Sequence, residues 1–229
     1  MTALILLAGG IGKRAGLGIP KQYYNLEGKM IIEHTLERIS GVDGIDSIVL
    51  VSNPGFVETA EELKKSYPKI SKVTLGGKTR NESLLNGFRE VEKGEKKVIV
   101  HDAVRPFTPT RVFERIIEGL DERDVITTVN PITGNLIELN EGKIKTIHDR
   151  SRYAIGEAPT GYRYEILKRT LELAVEGDYL NAIPHDILLA MKAGFDVHTL
   201  NCNCFNLKIT FREDLEVARA LIKLLEEVY

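Results

Sequence analysis

The chain of 229 residues has no tryptophan, three methionines and only two cysteines, and neither sign of charge is in excess. Its 31 lysines and arginines stand against 33 aspartates and glutamates, a formal net charge of −2. Each shortage excludes something. Cys202 and Cys204 cannot form a disulfide framework, and no second Cys or His pair stands at metal-ligand spacing. They read as two strand cysteines of a reducing cytosol. Balanced charge argues against a general nucleic-acid binder, which needs a basic face to release counterions. The apolar runs fall far short of the ~20 residues that span a bilayer, so no membrane segment is expected. The opening, Met1 to Gly10, lacks a basic n-region, and its apolar run ends in glycines that read as a loop. A chain this long buries roughly 70–75% of its unfolded surface and needs no metal or disulfide staple. A soluble, cytoplasmic, globular chain is the expectation.

Short apolar runs at residues 3–7, 47–51, 72–75, 98–100 and 125–129 are bounded by turn or charged residues. Such runs predict strands buried on both faces, as in a parallel sheet. Amphipathic stretches at 31–39, 56–67, 82–92 and 110–120 lie between them, with apolar residues three and four apart. Repeated strand–helix–strand units imply right-handed crossovers and an α/β, doubly wound sheet. After Pro131 the rhythm breaks. Residues 136–139 and 143–147 flank Asn140-Glu141-Gly142, which predicts a hairpin arm over about 132–150. Helices are then expected over 164–176 and 186–193, strands near 197–200 and 205–209, and a final helix from Arg212. No linker or repeat divides the chain, so one domain carrying an arm is expected over 1–229.

The first strand runs into Ala8-Gly9-Gly10-Ile11-Gly12-Lys13-Arg14-Ala15-Gly16, four glycines in eight residues beside two cations. Glycines after a strand let backbone N–H groups approach a phosphate with no Cβ in the way. Gly10-x-Gly12-x-x-Ala15 also matches a dinucleotide fingerprint, which would make the chain a nicotinamide-dependent oxidoreductase. That fingerprint needs a helix opening in the loop and an acidic residue about 20 positions on. Gly16, Gly18 and Pro20 break any such helix, and the second strand ends Val51-Ser52-Asn53 without a carboxylate. Context favours an anion site. Lys21, on a short loop behind Pro20, is placed to return to the same phosphates as Arg14.

Gly76 to Ser83 forms a second glycine-rich switch, at the strand ends where doubly wound sheets bind ligands. Small residues there admit a flat base, with Arg80 and Ser83 as hydrogen-bonding groups; Thr79 or Asn81 is also placed to cap the helix. Asp102, at the tip of the fourth strand, is a candidate Mg²⁺ ligand, because Mg²⁺ takes one or two carboxylates plus phosphate oxygens. An ion pair with Arg105 or a cap is the alternative, and His101 reads as structural. Lys208 stands in an alternating stretch, so it points either to solvent or into the site. No Gly-x-Ser-x-Gly elbow occurs. A P-loop would need Ser or Thr where Arg14 follows Gly12-Lys13.

Taken in order, six blocks resemble the cytidylyltransferases that make CDP-alcohols, a family including the methylerythritol-phosphate and ribitol-phosphate enzymes. They are Leu-Leu-Ala-Gly-Gly-x-Gly-x-Arg at 6–14, Pro-Lys-Gln-Tyr at 20–23 and Gly-Gly-x-x-Arg-x-x-Ser-x-x-Asn-Gly at 76–87. His-Asp-Ala-x-Arg-Pro-Phe at 101–107, Asp-Arg-Ser at 149–151 and Asn-Leu-Lys-Ile-Thr at 206–210 complete the set. The resemblance implies a Rossmann-like nucleotidyltransferase fold and a homodimer joined through the β-arm. It implies that CTP and an alcohol phosphate give a CDP-alcohol and pyrophosphate, with Mg²⁺. By position it implies that Ala8, Gly9, Gly10 and Gly12 cradle the CTP phosphates, and that Arg14, Lys21 and Lys208 stabilise charge at the α-phosphorus. Gly77, Arg80, Ser83 and Ala103 would surround the cytidine, and Asp102 would lie at the metal. Arg105 and Asn135 would lie at the acceptor, with Arg150 reaching it from the partner's arm.

The departures cluster on the acceptor side. Ala158-Pro159-Thr160 stands where the family has Thr-Pro-Gln, Pro184-His185-Asp186 where a Thr-Asp pair opens a helix, and Gly134-Asn135 where the arm has Asp-Thr. The acceptor is accordingly expected among methylerythritol 4-phosphate, ribitol 5-phosphate, another polyol phosphate or a phosphonate.

Overall fold

The computed structural model describes the backbone of residues 1–228, and the side chains of these except Lys13 and 225–228. Strand β1 (Thr2–Ala8) is buried almost throughout because both of its faces are covered. Leu4 and Leu6 enter a core with Ile32, Leu36, Phe113 and Ile116. Ala3 and Ile5 enter another with Leu84, Leu167 and Leu171. The two-residue period of one strand thus serves two helical layers. Each fully buried Leu or Ile contributes roughly 1.5–3 kcal/mol.

After β1 come the short strands β2 (Asn25–Leu26) and β3 (Lys29–Met30), then α1 (Ile31–Ser40), β4 (Ser47–Ser52), α2 (Val57–Ser66) and β5 (Ile70–Leu75). Next are α3 (Arg80–Arg89), β6 (Lys97–Asp102), α4 (Thr110–Gly119) and β7 (Val125–Pro131). The hairpin β8 (Leu136–Asn140) and β9 (Lys143–His148) leads to β10 (Ala154–Arg163), α5 (Tyr164–Glu176), α6 (Asp186–Lys192), β11 (Val197–Asn201) and α7 (Glu213–Val228). The main sheet runs β11-β7-β10-β6-β1-β4-β5. β1 pairs in parallel with β4 on one side and β6 on the other, so the winding reverses beside β1. Ligands of doubly wound sheets bind at such a switch point, beyond the strand C-termini.

Three features differ from the sequence-based expectation. β10 is a full strand where none is predicted, and it lies antiparallel between β6 and β7. Its glycines and proline hide it: Pro159 sits where the register shifts between Gly156 and Thr160, an irregularity of the kind that lets an interior strand accept proline. Residues 205–209 form no ladder; Ile209 N–H bonds the Val104 carbonyl, and Asn206 is held through its side chain. Cys202 and Cys204 lie past β11 and are joined by a disulfide. Asn203, with φ of +44°, folds the chain back between them.

Helix α3 lies so close to the sheet that a Cβ at Gly87 would stand 2.6 Å from Ile5 Cγ2 and 2.7 Å from Val51 Cγ2. Gly87→Val is therefore expected to destabilise by about 1–3 kcal/mol through overpacking. Chemical denaturation checks this, and an unchanged midpoint would show that the helix can retreat. At the C-terminus, Leu215, Ala218 and Ile222 of α7 close a third core with Leu26, Val104 and Ile209. That packing holds the segment carrying Lys208 over the end of β6.

Candidate active site

Both glycine-rich loops leave the sheet at the same end and touch. A Cβ on Gly9 would stand 3.1 Å from Gly76 Cα, and one on Gly76 would stand 3.0 Å from Gly9 Cα. Gly12, with φ of +67°, turns the first loop back beneath Lys21 N. The loops are tied by hydrogen bonds rather than by apolar packing. Gln22 Nε2 donates to the Ala8 carbonyl at 2.5 Å and to the Gly10 carbonyl at 2.7 Å. Asn53 Nδ2 donates to the Gly9 carbonyl at 3.1 Å. Gly77 N–H bonds Ser83 Oγ at 3.0 Å, and the Thr79 hydroxyl caps α3 by accepting from Glu82 N–H.

A cavity of about 760 Å³ opens above these loops. Ala8, Gly9, Gly10, Gly12, Arg14, Lys21, Gly77, Arg80, Ser83, Asp102 and Lys208, all singled out in the sequence, line it together. Lys208 points into the site, which settles the alternative its alternating stretch leaves open. Ala103 lies behind the wall, fully buried, with its carbonyl bonded by Thr35 Oγ1. Arg105 is buried beside Asp102 and does not line the cavity. Arg150 lies elsewhere in this chain, lining a separate cavity of about 710 Å³ at the base of the arm with Thr133 and Tyr153. Its Nη1 donates to the Thr133 carbonyl. Asn135 lines neither cavity.

Charge is concentrated around Asp102. Lys208 Nζ donates to Oδ2 at 2.8 Å, Arg105 Nε stands 3.6 Å from the same oxygen, and Arg80 Nε stands 3.6 Å from Oδ1. Burial alone would raise the Asp102 carboxyl, but Arg80, Lys208 and Arg105 outweigh it and hold it far below the usual carboxylate range. Lys21 is 8% exposed, and burial first, then Lys208 and Arg14, draw its ammonium down to about 8. His101 is fully buried and held neutral by burial, its value drawn down to about 3, in keeping with a structural role.

A Mg²⁺ bound by Asp102 does not fit these surroundings. Both carboxylate oxygens already face cations, Arg80 at Oδ1 and Lys208 and Arg105 at Oδ2. A Mg²⁺ ion there would have to displace Arg80, or Lys208 and Arg105, from the carboxylate oxygen they already face.

Two residues that the motifs do not single out complete the site. Gln22 belongs to the Pro-Lys-Gln-Tyr block, yet only its two loop carbonyl contacts show its role. Asp186, at the start of α6, accepts from Arg80 Nη1 at 2.6 Å and from the Tyr162 hydroxyl at 2.9 Å. Arg80, which lines the cavity with Asp102, is thereby held between Asp186 and Asp102.

The family model for IspD, 2-C-methyl-D-erythritol 4-phosphate cytidylyltransferase, matches residues 2–224. The chain belongs to the 2-C-methyl-D-erythritol 4-phosphate cytidylyltransferase family. Membership makes it a nucleotidyltransferase, and nothing in the loops or the relatives supports the oxidoreductase alternative. A family member from Geotalea uraniireducens (strain Rf4) is 32% identical, with 97% of each chain covered. One from Syntrophus aciditrophicus (strain SB) is 30% identical, covering 96% of this chain and 94% of the other. Beyond enzymes named for methylerythritol phosphate, the chain is also 30% identical to a bifunctional ribulose 5-phosphate reductase/CDP-ribitol pyrophosphorylase from Haemophilus influenzae. That match covers 96% of this chain and 48% of the larger protein. Among solved structures, 4-diphosphocytidyl-2C-methyl-D-erythritol synthase from Anaerococcus prevotii DSM 20548 superposes with a TM-score of 0.83 at 21% identity. It covers 97% of each chain and shares the IspD fold.

Proposed function

We propose that the chain transfers CMP from CTP to the phosphate of a small polyol phosphate of the methylerythritol 4-phosphate or ribitol 5-phosphate type. An acceptor phosphate oxygen forms a bond to the α-phosphorus, the bond from that phosphorus to the bridging oxygen breaks, and pyrophosphate leaves with the electron pair. The acceptor is already ionised, so no general base or covalent intermediate is needed. The barrier is largely repulsion between two anions, together with charge growing in the transition state, and fixed cations counter both.

One observation carries this reading: Arg14, Lys21 and Lys208 line the same cavity as the glycine loops. Ala8, Gly9, Gly10 and Gly12 cradle the triphosphate, while Gly77 and Ser83 border the base. Lys208 approaches from the acceptor side, oriented by Asp102. Mg²⁺ enters this reading as a requirement of the reaction without a place on the protein. Pyrophosphate release from CTP, measured against methylerythritol 4-phosphate, ribitol 5-phosphate, other polyol phosphates and a phosphonate, tests it. Turnover with a polyol phosphate is expected, and CTP binding without release for any acceptor would remove it.

We further infer a homodimer through the arm, acting in the cytoplasm where nucleoside triphosphates are available. Leu139, Ile144 and Ile147 of the β8–β9 hairpin are each more than half exposed, which a lone chain has no reason to maintain. Arg150 and Asn135 would reach an acceptor only from a neighbouring chain's arm. Ile144→Lys is expected to halve the mass measured by analytical ultracentrifugation; a chain already monomeric before substitution would refute the dimer.

A further inference from the structure

Arg105 is a single guanidinium set between two carboxylates. Its Nε lies 3.6 Å from Asp102 Oδ2, and its Nη1 lies 3.9 Å from Glu157 Oε2. Nη1 is committed to the Asn206 carbonyl at 2.8 Å, whereas Nε and Glu157 Oε2 are buried with no hydrogen-bond partner. Leaving a buried carboxylate oxygen without a donor is costly, so a residue retained in this state calls for an explanation. Glu157 stands on β10 within the shift between Gly156 and Thr160, beside Ala158, where the acceptor-side blocks depart from the family.

The charge count around β6 gives that explanation. Within one ion-paired set, Arg80, Arg105 and Lys208 face Asp102, Asp186 and Glu157, three cations matched by three anions; Arg14 and Lys21 line the same cavity outside that set. Without Glu157 that paired set would itself carry a net positive charge beside Arg105 and welcome an additional anion on an acceptor. Like-charge juxtaposition is the usual physical means of excluding a wrong partner.

We propose that Glu157 sets the acceptor selectivity of this chain, cancelling the charge of Arg105 so that phosphates of uncharged polyols are taken and acceptors bearing a second anion are refused. This rests on the cytidylyl-transfer reading above. Glu157 acts here as a specificity residue, through field and through Arg105, and not on the reacting atoms.

Erythritol 4-phosphate and erythronate 4-phosphate test it, since they differ only in a terminal hydroxymethyl against a carboxylate. Pyrophosphate release at saturating CTP is compared for the unaltered protein, Glu157→Gln and Glu157→Asp, and acceptor binding is measured by calorimetry beside a non-hydrolysable CTP analogue. The unaltered protein is expected to prefer the polyol, and Glu157→Gln to narrow that preference roughly tenfold through a lower KM for the acid, with the KM for CTP unchanged. Glu157→Asp should keep the preference. A ratio unchanged within twofold in Glu157→Gln, or an equal loss for both acceptors, overturns the role of Glu157 while leaving cytidylyl transfer standing. Binding of the CTP analogue with neither acceptor bound by any form removes the polyol reading, and the selectivity role with it.

Discussion

Alanine at Lys21 is expected to lower turnover by roughly 10²–10³-fold, the scale of losing one preorganised contact to developing negative charge, with the fold intact. The position of this lysine comes from its neighbours on both sides of the sequence. Pro20 starts the turn, Gln22 binds the carbonyls of Ala8 and Gly10, and the Tyr23 hydroxyl meets Ser52 Oγ at 2.8 Å. The ammonium itself has other cations close by and is drawn down to about 8 by burial, Lys208 and Arg14. Because its folded value lies below its unfolded one, the folded protein binds fewer protons between about 8 and 10.5, and stability rises with pH across that window. At neutral pH the charge thus opposes folding, and Lys21→Met should be no less stable than the original. Such a group is retained for what it does to a ligand. Its cationic form predominates below about 8, so kcat/KM for CTP is expected to fall as pH rises through that value. Bound phosphates favour the ammonium and should move the corresponding limb of kcat to higher pH. Stopped-flow and steady-state rates across pH 6–10 check both, and a flat kcat/KM profile would remove Lys21 from charge stabilisation.

Asp102→Asn is expected to be the most damaging isosteric change, lowering stability by about 3–5 kcal/mol, the usual cost of breaking a buried ion pair from one side. Asparagine keeps the shape but offers one oxygen, while Arg80, Arg105 and Lys208 lose their common counter-charge. The sign with pH is specific. Asp102 has its folded value depressed, so its contribution is present above the unfolded value of about 3.9 and is lost as pH falls through the folded one. Denaturation midpoints of the two proteins should therefore differ at pH 7 and converge in strong acid. Turnover should fall as well, since Lys208 loses the 2.8 Å bond that orients it. The Mg²⁺ concentration giving half-maximal rate should stay the same in whatever activity remains. A large rise in that concentration would place the cation on Asp102 after all.

The parallel part of the sheet was legible because β1, β4, β6 and β7 are runs of β-branched and aliphatic residues with few polar interruptions, as burial on two faces requires. The glycine loops, Lys21, Arg80, Asp102 and Lys208 were legible as motifs, and the structure brings them to one cavity. β10 was not legible, since Gly156, Pro159 and Gly161 all argue against a strand. Only the packing of α4 explains Gly161, where a side chain would collide with Ile116. Residues 205–209 show the opposite error: their apolar character serves the core under α7 and not a ladder. The pairing of Arg80 with Asp186 and of Arg105 with Glu157 joins residues separated by 106 and 52 positions in the chain, distances over which local pattern carries no information.

The antiparallel insertion has a mechanical corollary. β10 begins at Ala154, opposite Pro131 at the root of the hairpin, and ends paired with Val98 and Lys97 of β6. A single stretch of backbone therefore runs from the base of the protruding hairpin to the strand bearing Asp102, with hydrogen-bonded neighbours on both edges along its second half. Any tilt imposed on the hairpin meets the register shift between Gly156 and Thr160 before it reaches the part of β10 clamped between β6 and β7.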